Sequence, residues 1–153
     1  MKNILFVLAL VLFVSCDNDK KSEEEIDFVA KNEADIKAYV EANDLTAVRS
    51  NSGLYYVIEE EGTGTQAVAT SNVTVAYKGY FLNGSVFDQS DSEGISFGLN
   101  QVIKGWTEGI AYFKEGGNGL LLVPAHLGYG SRDYNGIPGG SVLIFEVTLI
   151  AVN

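Results

Sequence analysis

Cysteine, histidine and tryptophan occur once each in these 153 residues, and proline occurs twice. With only Cys16 and His126 to draw on, a disulfide framework and a Cys/His zinc site are excluded. The one Cys–His nucleophilic pair open to the chain is His126 with Cys16 itself. Positive charge is also scarce: ten Lys and Arg face twenty Asp and Glu, a formal net charge of −10. Such a chain repels phosphate backbones, so nucleic acid is not an expected partner. The longest apolar run, Ile4 to Val14, covers eleven residues, whereas a membrane-crossing helix needs about 20. Glycine, by contrast, is plentiful at seventeen, which points to the many tight turns of a β-rich domain. Apolar residues at 46% and charged residues at 20% exclude global disorder, and the length suits one domain with a short extra segment.

Residues 1–15 carry Lys2, the apolar run and then the small Ser15, the pattern of a secretory signal. Phe13-Val14-Ser15-Cys16 resembles the cleavage box of bacterial lipoproteins, with Phe13 where Leu is usual. That resemblance implies that Cys16 is the lipidation site, bearing fatty acyl groups such as palmitate, and that it becomes the new N-terminus. The membrane is then a partner through the lipid anchor. The expected location is the cell envelope, at a bacterial outer membrane, with the periplasmic and surface faces both open. Residues 16–25 are polar and acidic without a periodic apolar face, which reads as a solvated tether. Acidic residues directly after the cysteine are similar to surface-export signals of some bacterial lipoproteins.

Residues 26–52 read as an accessory helix with its linker. The helical pattern already begins at Ser22, which forms a capping box with Glu25, and it runs to Asn43. Ile26, Val29, Ile36 and Val40 form its apolar stripe, with Phe28 and Tyr39 beside them. One apolar face must lie on something: the main domain or a second copy.

Residues 53–153 form the main domain. Leu54 to Ile58 is a β-branched and aromatic run bounded by turn residues, hence a strand. Gly62-Thr63-Gly64 lacks a following Gly-Lys-Ser/Thr, so it is not a phosphate loop. Val73 to Tyr80 alternates as a half-buried antiparallel strand does. Asn83-Gly84 signals a hairpin returning through Val86 and Phe87. Ile95 to Leu99 is a further short strand. Gln101 to Phe113 holds the one helical pattern, with Val102, Trp106, Ile110 and Phe113 on a side and Gly116-Gly117 closing it. Leu120–Val123 and Val142–Ile150 are strands joined by a Gly-rich loop, Gly128 to Gly140. The fold class is α+β: a curved antiparallel sheet wrapped around one short helix, preceded by the accessory helix.

In order, the chain gives VTVAYKGY, LNGSVFDQS, QVIKGWTEGI, LVPAHLGYG and GIPGGSVLIFEVTLI. This series resembles the FK506-binding protein (FKBP) family of peptidyl-prolyl cis–trans isomerases, from about Leu54 to Val152. The resemblance implies a prolyl-binding hollow between sheet and helix, with Trp106 as its floor. Tyr77, Phe87, Val102, Ile103, Ile137 and Phe145 match its walls, and Phe97 a further wall aromatic. Asp88 matches the pocket carboxylate. Tyr129 matches a hydroxyl that bonds a substrate carbonyl, and the Ile103 N–H is a second expected donor. Phe87, Asp88, Trp106 and Tyr129 are thus the implied catalytic group.

Implied partners are proline-containing unfolded chains or peptides and FK506-like macrolides, with no cofactor and no metal. Ile137-Pro138-Gly139-Gly140 stands where the family often has Ile-Pro-Pro, which predicts a looser loop over the pocket. Asn118-Gly119 replaces a basic pair common after the Gly-Gly turn. His126 reads as structural or surface. Two other functions stay open: a peptide-binding or chaperone module without catalysis, and a structural envelope lipoprotein, as in gliding machinery.

Overall fold

The computed structural model describes residues 27–153. In chain order they form α1 (Phe28–Ala42), β1 (Val48–Arg49), β2 (Tyr55–Glu60), β3 (Asn72–Phe81), β4 (Val86–Gln89), β5 (Ile95–Gly98), α2 (Lys104–Gly109), β6 (Asn118–Val123) and β7 (Leu143–Val152). The strands make one antiparallel sheet in the order β1-β2-β6-β7-β3-β4, with β5 also paired to β3. The expected α+β architecture is the observed one. The linker at 45–52 does more than connect, because its Val48 and Arg49 pair with Tyr56 and Tyr55 as β1.

β6 and the start of β7 read as continuous apolar runs because both faces of the sheet are covered there, whereas β7 alternates from Glu146 onward, with Glu146 and Thr148 exposed. Leu121, Val123, Leu143, Phe145 and Val147 point into the main core, on the concave side with α2. Leu120, Leu122, Val142 and Ile144 point the other way, into a second core closed by Ile36 of α1. Accordingly α1 folds back onto its own domain.

The face that α1 presents is only partly the one its apolar spacing predicts: Ile36 and Val40 of the stripe pack on the domain, but Val29 does not. Val29 is 56% exposed, whereas Ile36 and the polar Asn32 are buried. Asn32 finds backbone partners on the domain, a reason for burial that hydrophobic periodicity does not register. The helix is capped by Asp27, whose carboxylate accepts from the backbone N–H of Val29 and of Ala30. Cys16, the tether, the Ser22–Glu25 capping box and Ile26 lie outside the described residues.

The pattern from Gln101 to Phe113 is likewise not one helix. A 3-10 turn at Leu99–Gln101 leads to extended backbone at Val102 and Ile103, then α2, then a second 3-10 turn at Ile110–Tyr112. Phe113 is already extended. Gly105 and Gly109 lie one turn apart and let α2 press against β6. A Cβ on Gly105 would stand 2.5 Å from Val123 Cγ1, and one on Gly109 would stand 2.6 Å from Leu121 Cδ2. The apolar side chains all face inward across these breaks, which is why their spacing mimics a longer helix.

The Gly128–Gly140 loop is tied, not loosened. Tyr134 and Ile137 exchange backbone hydrogen bonds across Asn135-Gly136, both at positive φ, and the Gly140 N–H donates to Gly130 O. The Gly139 N–H donates to Asp133 Oδ1 at 2.8 Å. A proline at 139 has no N–H to give, so the departure from Pro-Pro adds a tether.

Glu33 joins α1 to the sheet edge. Its Oε1 accepts from the Tyr55 hydroxyl at 2.8 Å, from Arg49 Nε at 3.0 Å and from Lys37 Nζ at 3.0 Å. Loss of water around Glu33 acts to raise its pKa, but these donors together outweigh that effect and hold the carboxyl at about 2, against 4.5 ordinarily. A carboxylate with a depressed folded pKa stabilises above its unfolded pKa and loses that contribution as pH falls toward the folded value. Stability of the wild type is therefore expected to fall between pH 4.5 and about 2 more steeply than that of Glu33→Gln. Denaturant midpoints measured at stepped pH check this; parallel curves for the two proteins would refute it.

Candidate active site

The hollow on the concave side of the sheet begins with an irregularity. β3 and β4 pair as Tyr80↔Val86 and Gly79↔Asp88, which leaves Phe87 without a partner as a β-bulge. Strict alternation would send Phe87 and Asp88 to opposite faces. The bulge turns both into the same cavity. Gly79 makes room: a Cβ there would lie 2.6 Å from Phe87 Cζ and 3.0 Å from Phe145 Cε1.

The cavity has a volume of about 520 Å³, well within the range of ligand sites. β3, β4 and β7 contribute Tyr77, Phe87, Asp88 and Phe145 to its lining. Val102, Ile103 and Trp106 come from the turn into α2, Phe97 from β5, and Tyr129 from the Gly-rich loop. Nine of the ten positions assigned from sequence thus surround one hollow. The tenth, Ile137, is 8% exposed and packs into the main core, because the Asn135-Gly136 turn presents Tyr134 to the cavity instead. Ile95, Gln101 and Tyr134 line it without having been foreseen. The Asn-Gly pair after Tyr134 was the available signal for that tight turn. His126 lies elsewhere, its Nε2 at 2.8 Å from Ser52 O.

Trp106 is 4% exposed and is held by aromatic edges. Its ring centroid lies 5.0 Å from Tyr77 and 5.1 Å from Phe145, both nearly perpendicular, and 5.3 Å from Phe97. Such pairs contribute about 0.5–1.5 kcal/mol each beyond area burial. Phe87 stands perpendicular to Phe145 at 5.6 Å, extending the aromatic wall to the bulge.

Polar groups are few and directional. The Tyr77 hydroxyl donates to Asp88 Oδ2 at 2.6 Å. Burial, then the bonded Asp88 carboxylate, pushes the Tyr77 hydroxyl well above the usual tyrosine range. Tyr129 is raised by burial first, then by Tyr134 and Asp88. Both hydroxyls therefore stay protonated and able to donate at neutral pH. Tyr129 stacks on Tyr134 with centroids 5.0 Å apart and rings 11° from parallel. Among the described residues, neither the Tyr129 hydroxyl nor the Ile103 N–H donates to a protein acceptor. The arrangement offers an aromatic-walled hollow whose lining also holds a carboxylate and two unengaged donors.

A family model described as FKBP-type peptidyl-prolyl cis-trans isomerase matches residues 63–150. The chain belongs to this family. It is 39% identical over 145 residues to FKBP-type peptidyl-prolyl cis-trans isomerase FkpA of Buchnera aphidicola subsp. Baizongia pistaciae, covering 88% of this chain and 57% of that protein. The crystal structure of FkpA from Escherichia coli superposes with a TM-score of 0.73 at 37% identity, covering 82% of this chain and 61% of that one. A peptidyl-prolyl cis-trans isomerase from Pseudomonas syringae pv. tomato gives a TM-score of 0.71 at 27% identity, covering 84% and 98%. The chain spans about half the length of the curated relatives it matches. Membership accounts for the order of the five sequence segments and for the FKBP-like fold.

If the bulge and Gly79 set the wall of a peptide site, Gly79→Ala must displace the Phe87 ring. The expected result is a folded chain by circular dichroism with about tenfold weaker affinity for a proline-containing peptide. Fluorescence of Trp106, the only tryptophan, reports the titration. Unchanged affinity would remove Phe87 from the site.

Proposed function

We propose that this chain catalyses cis–trans isomerisation of X–Pro bonds in exported proteins, binding the prolyl residue in the hollow over Trp106. The observation that carries the reading is the bulge-built aromatic cavity edged by the Tyr129 hydroxyl and the Ile103 N–H, in a chain of this family. Unaided rotation about an X–Pro bond takes roughly tens to hundreds of seconds, against a barrier of about 20 kcal/mol. No bond is made or broken, so the reaction asks for no nucleophile, electron carrier or metal.

Amide planarity comes from resonance that places negative charge on the carbonyl oxygen, and water favours that charge-separated planar form. The twisted amide has lost much of the separation. A prolyl residue bound against Tyr77, Phe87, Phe97, Trp106 and Phe145 exchanges water for ring surface, which favours the twisted form relative to the planar one. Asp88, holding the Tyr77 hydroxyl, fixes one wall, while Tyr129 and the Ile103 N–H orient the peptide. A turnover of about 10²–10³ per second requires roughly 5–7 kcal/mol of differential stabilisation. These contacts supply it only where they fit the twisted state better than either planar isomer. An FK506-like macrolide that fills the same hollow would compete with the peptide.

The test is acceleration of a proline-limited refolding reaction by the full chain, kept in mild detergent because of its apolar N-terminal run. Phe87→Ala and Asp88→Ala, folded by circular dichroism, are expected to lower kcat/KM by about tenfold or more. A folded wild type that binds peptide without accelerating refolding would reduce the function to peptide binding.

The same proposal places the domain at the end of a lipid tether. Its support is the Phe13-Val14-Ser15-Cys16 box after a secretory-type run and the polar stretch at 16–25. Bacteria expressing the chain are expected to incorporate labelled palmitate into the wild type and not into Cys16→Ser, with the wild type alone fractionating with the envelope. Equal labelling would end the anchor reading.

A further inference from the structure

Among the described residues, Asn32 is the one buried polar side chain, 1% exposed and one turn before the buried Ile36 on α1. Its amide nitrogen and oxygen are both bonded to backbone. Nδ2 donates to Gly140 O at 2.9 Å, and Oδ1 accepts from the Ala125 N–H at 2.8 Å. The orientation is dictated, because a backbone carbonyl can only accept and a backbone N–H can only donate. Ala125 and Gly140 are the two ends of the loop that carries Tyr129 and Tyr134 into the cavity. One side chain of α1 thus closes the base of that loop, and Phe28, one turn earlier, packs over Gly140.

We infer that Asn32 is a positioning residue for the candidate site: it staples the base of the 125–140 loop and so sets where Tyr129 and Tyr134 stand over the cavity. The inference rests on the reading of that cavity as the peptide site. Inside the loop the ties are local: Tyr134 with Ile137, Gly139 with Asp133, and Gly140 with Gly130. They shape the loop, while Leu127 and Ile137 pack its interior into the main core and His126 reaches Ser52 O. The contacts that cross from its two ends to one outside group are those of Asn32. Removing the amide leaves the buried Ala125 N–H and the part-buried Gly140 C=O unpaired, a penalty the loop relieves by opening its base to water. The consequence falls on substrate binding, because Tyr129 contributes a bond to the bound peptide while Trp106, Phe87 and Asp88 keep their places.

The experiment uses the full chain in mild detergent and compares the wild type, Asn32→Ala, Asn32→Asp and Leu149→Ala. Asn32→Asp keeps the shape and the acceptor for Ala125 but loses the donor to Gly140, and it serves should Asn32→Ala fail to fold. Leu149 is buried in the main core away from both loop and cavity, so it controls for lost stability alone. Amide hydrogen exchange is read at Tyr134, Ile137, Gly139 and Gly140, and peptide affinity by Trp106 fluorescence. Both Asn32 variants are expected to exchange these four amides about tenfold faster or more. They are also expected to bind a proline-containing peptide about fivefold to tenfold more weakly, and KM to rise while kcat stays within about twofold. Leu149→Ala is expected to do none of this.

Unchanged exchange at the four amides overturns the staple. Faster exchange with unchanged affinity overturns its role in the site, as does equal behaviour of Leu149→Ala. Exchange and affinity do not depend on turnover. A wild type that binds peptide without isomerising it would defeat the proposed function, while the Asn32 effects on exchange and affinity would still carry the staple.

Discussion

The indole of Trp106 is packed among three rings and lines the cavity. Tyr77 and Phe145 meet it nearly at right angles from neighbouring strands, and Phe97 meets it from β5. Perpendicular and tilted pairs of this kind hold a ring without parallel stacking. The floor of the cavity therefore exists only if β3, β5, β7 and α2 are brought to one point, which requires a curved sheet with a helix in its hollow. α2 meets the requirement by being short and by carrying glycine where it touches Leu121 and Val123. A longer helix, or one held off by side chains, would either fill the hollow or lift the indole out of it.

The bulge in β4 solves a second geometric problem. An apolar wall and a carboxylate are both wanted on the concave face, yet consecutive residues of a regular strand cannot share a face. Adding an unpaired residue opposite Gly79 lets Phe87 and Asp88 do so. The carboxylate then accepts from Tyr77, so a negative charge stands at the cavity edge with a strong donor already assigned to it. The donors that remain for a peptide are the Tyr129 hydroxyl, close enough to Asp88 to feel its charge, and the Ile103 N–H.

Much of this was legible in the sequence. Alternation from Val73 to Tyr80 and the apolar runs at 120–123 and 142–150 place three long strands, and the order of five short segments names the family. Misreadings occur where a contact made by the backbone decides the matter. Val29 looks like core and is exposed, whereas Asn32 looks exposed and is buried, because carbonyl and amide partners attract it and hydropathy does not register them. The helix read from 101 to 113 is three short pieces, since inward-facing side chains keep a helical spacing across backbone breaks. β1 has two residues, too few for any period to be seen. Gly139 looks like lost rigidity by comparison with proline, yet it supplies the N–H that Asp133 holds. The bulge leaves no mark in composition, and only the pairing register reveals it.

A domain of this size that keeps about 520 Å³ of its concave side unfilled forgoes packing on the face where its helix lies. The other face offsets that loss. Ile36 of α1 seals Tyr55, Leu120, Leu122, Val142 and Ile144 from water, so β6 and the start of β7, Leu143–Phe145, are buried on both sides even beside an open hollow. Seen this way, α1 is part of the domain and not an appendage to it. Its apolar residue closes the second core, its acidic Glu33 binds the sheet edge, and its one buried amide reaches the loop at the cavity. Stability and site geometry are then linked through a single helix that touches no ligand. A helix in that position can change over time on its exposed face, but not at Asn32, Glu33 or Ile36, without altering either the strength of the fold or the shape of the hollow.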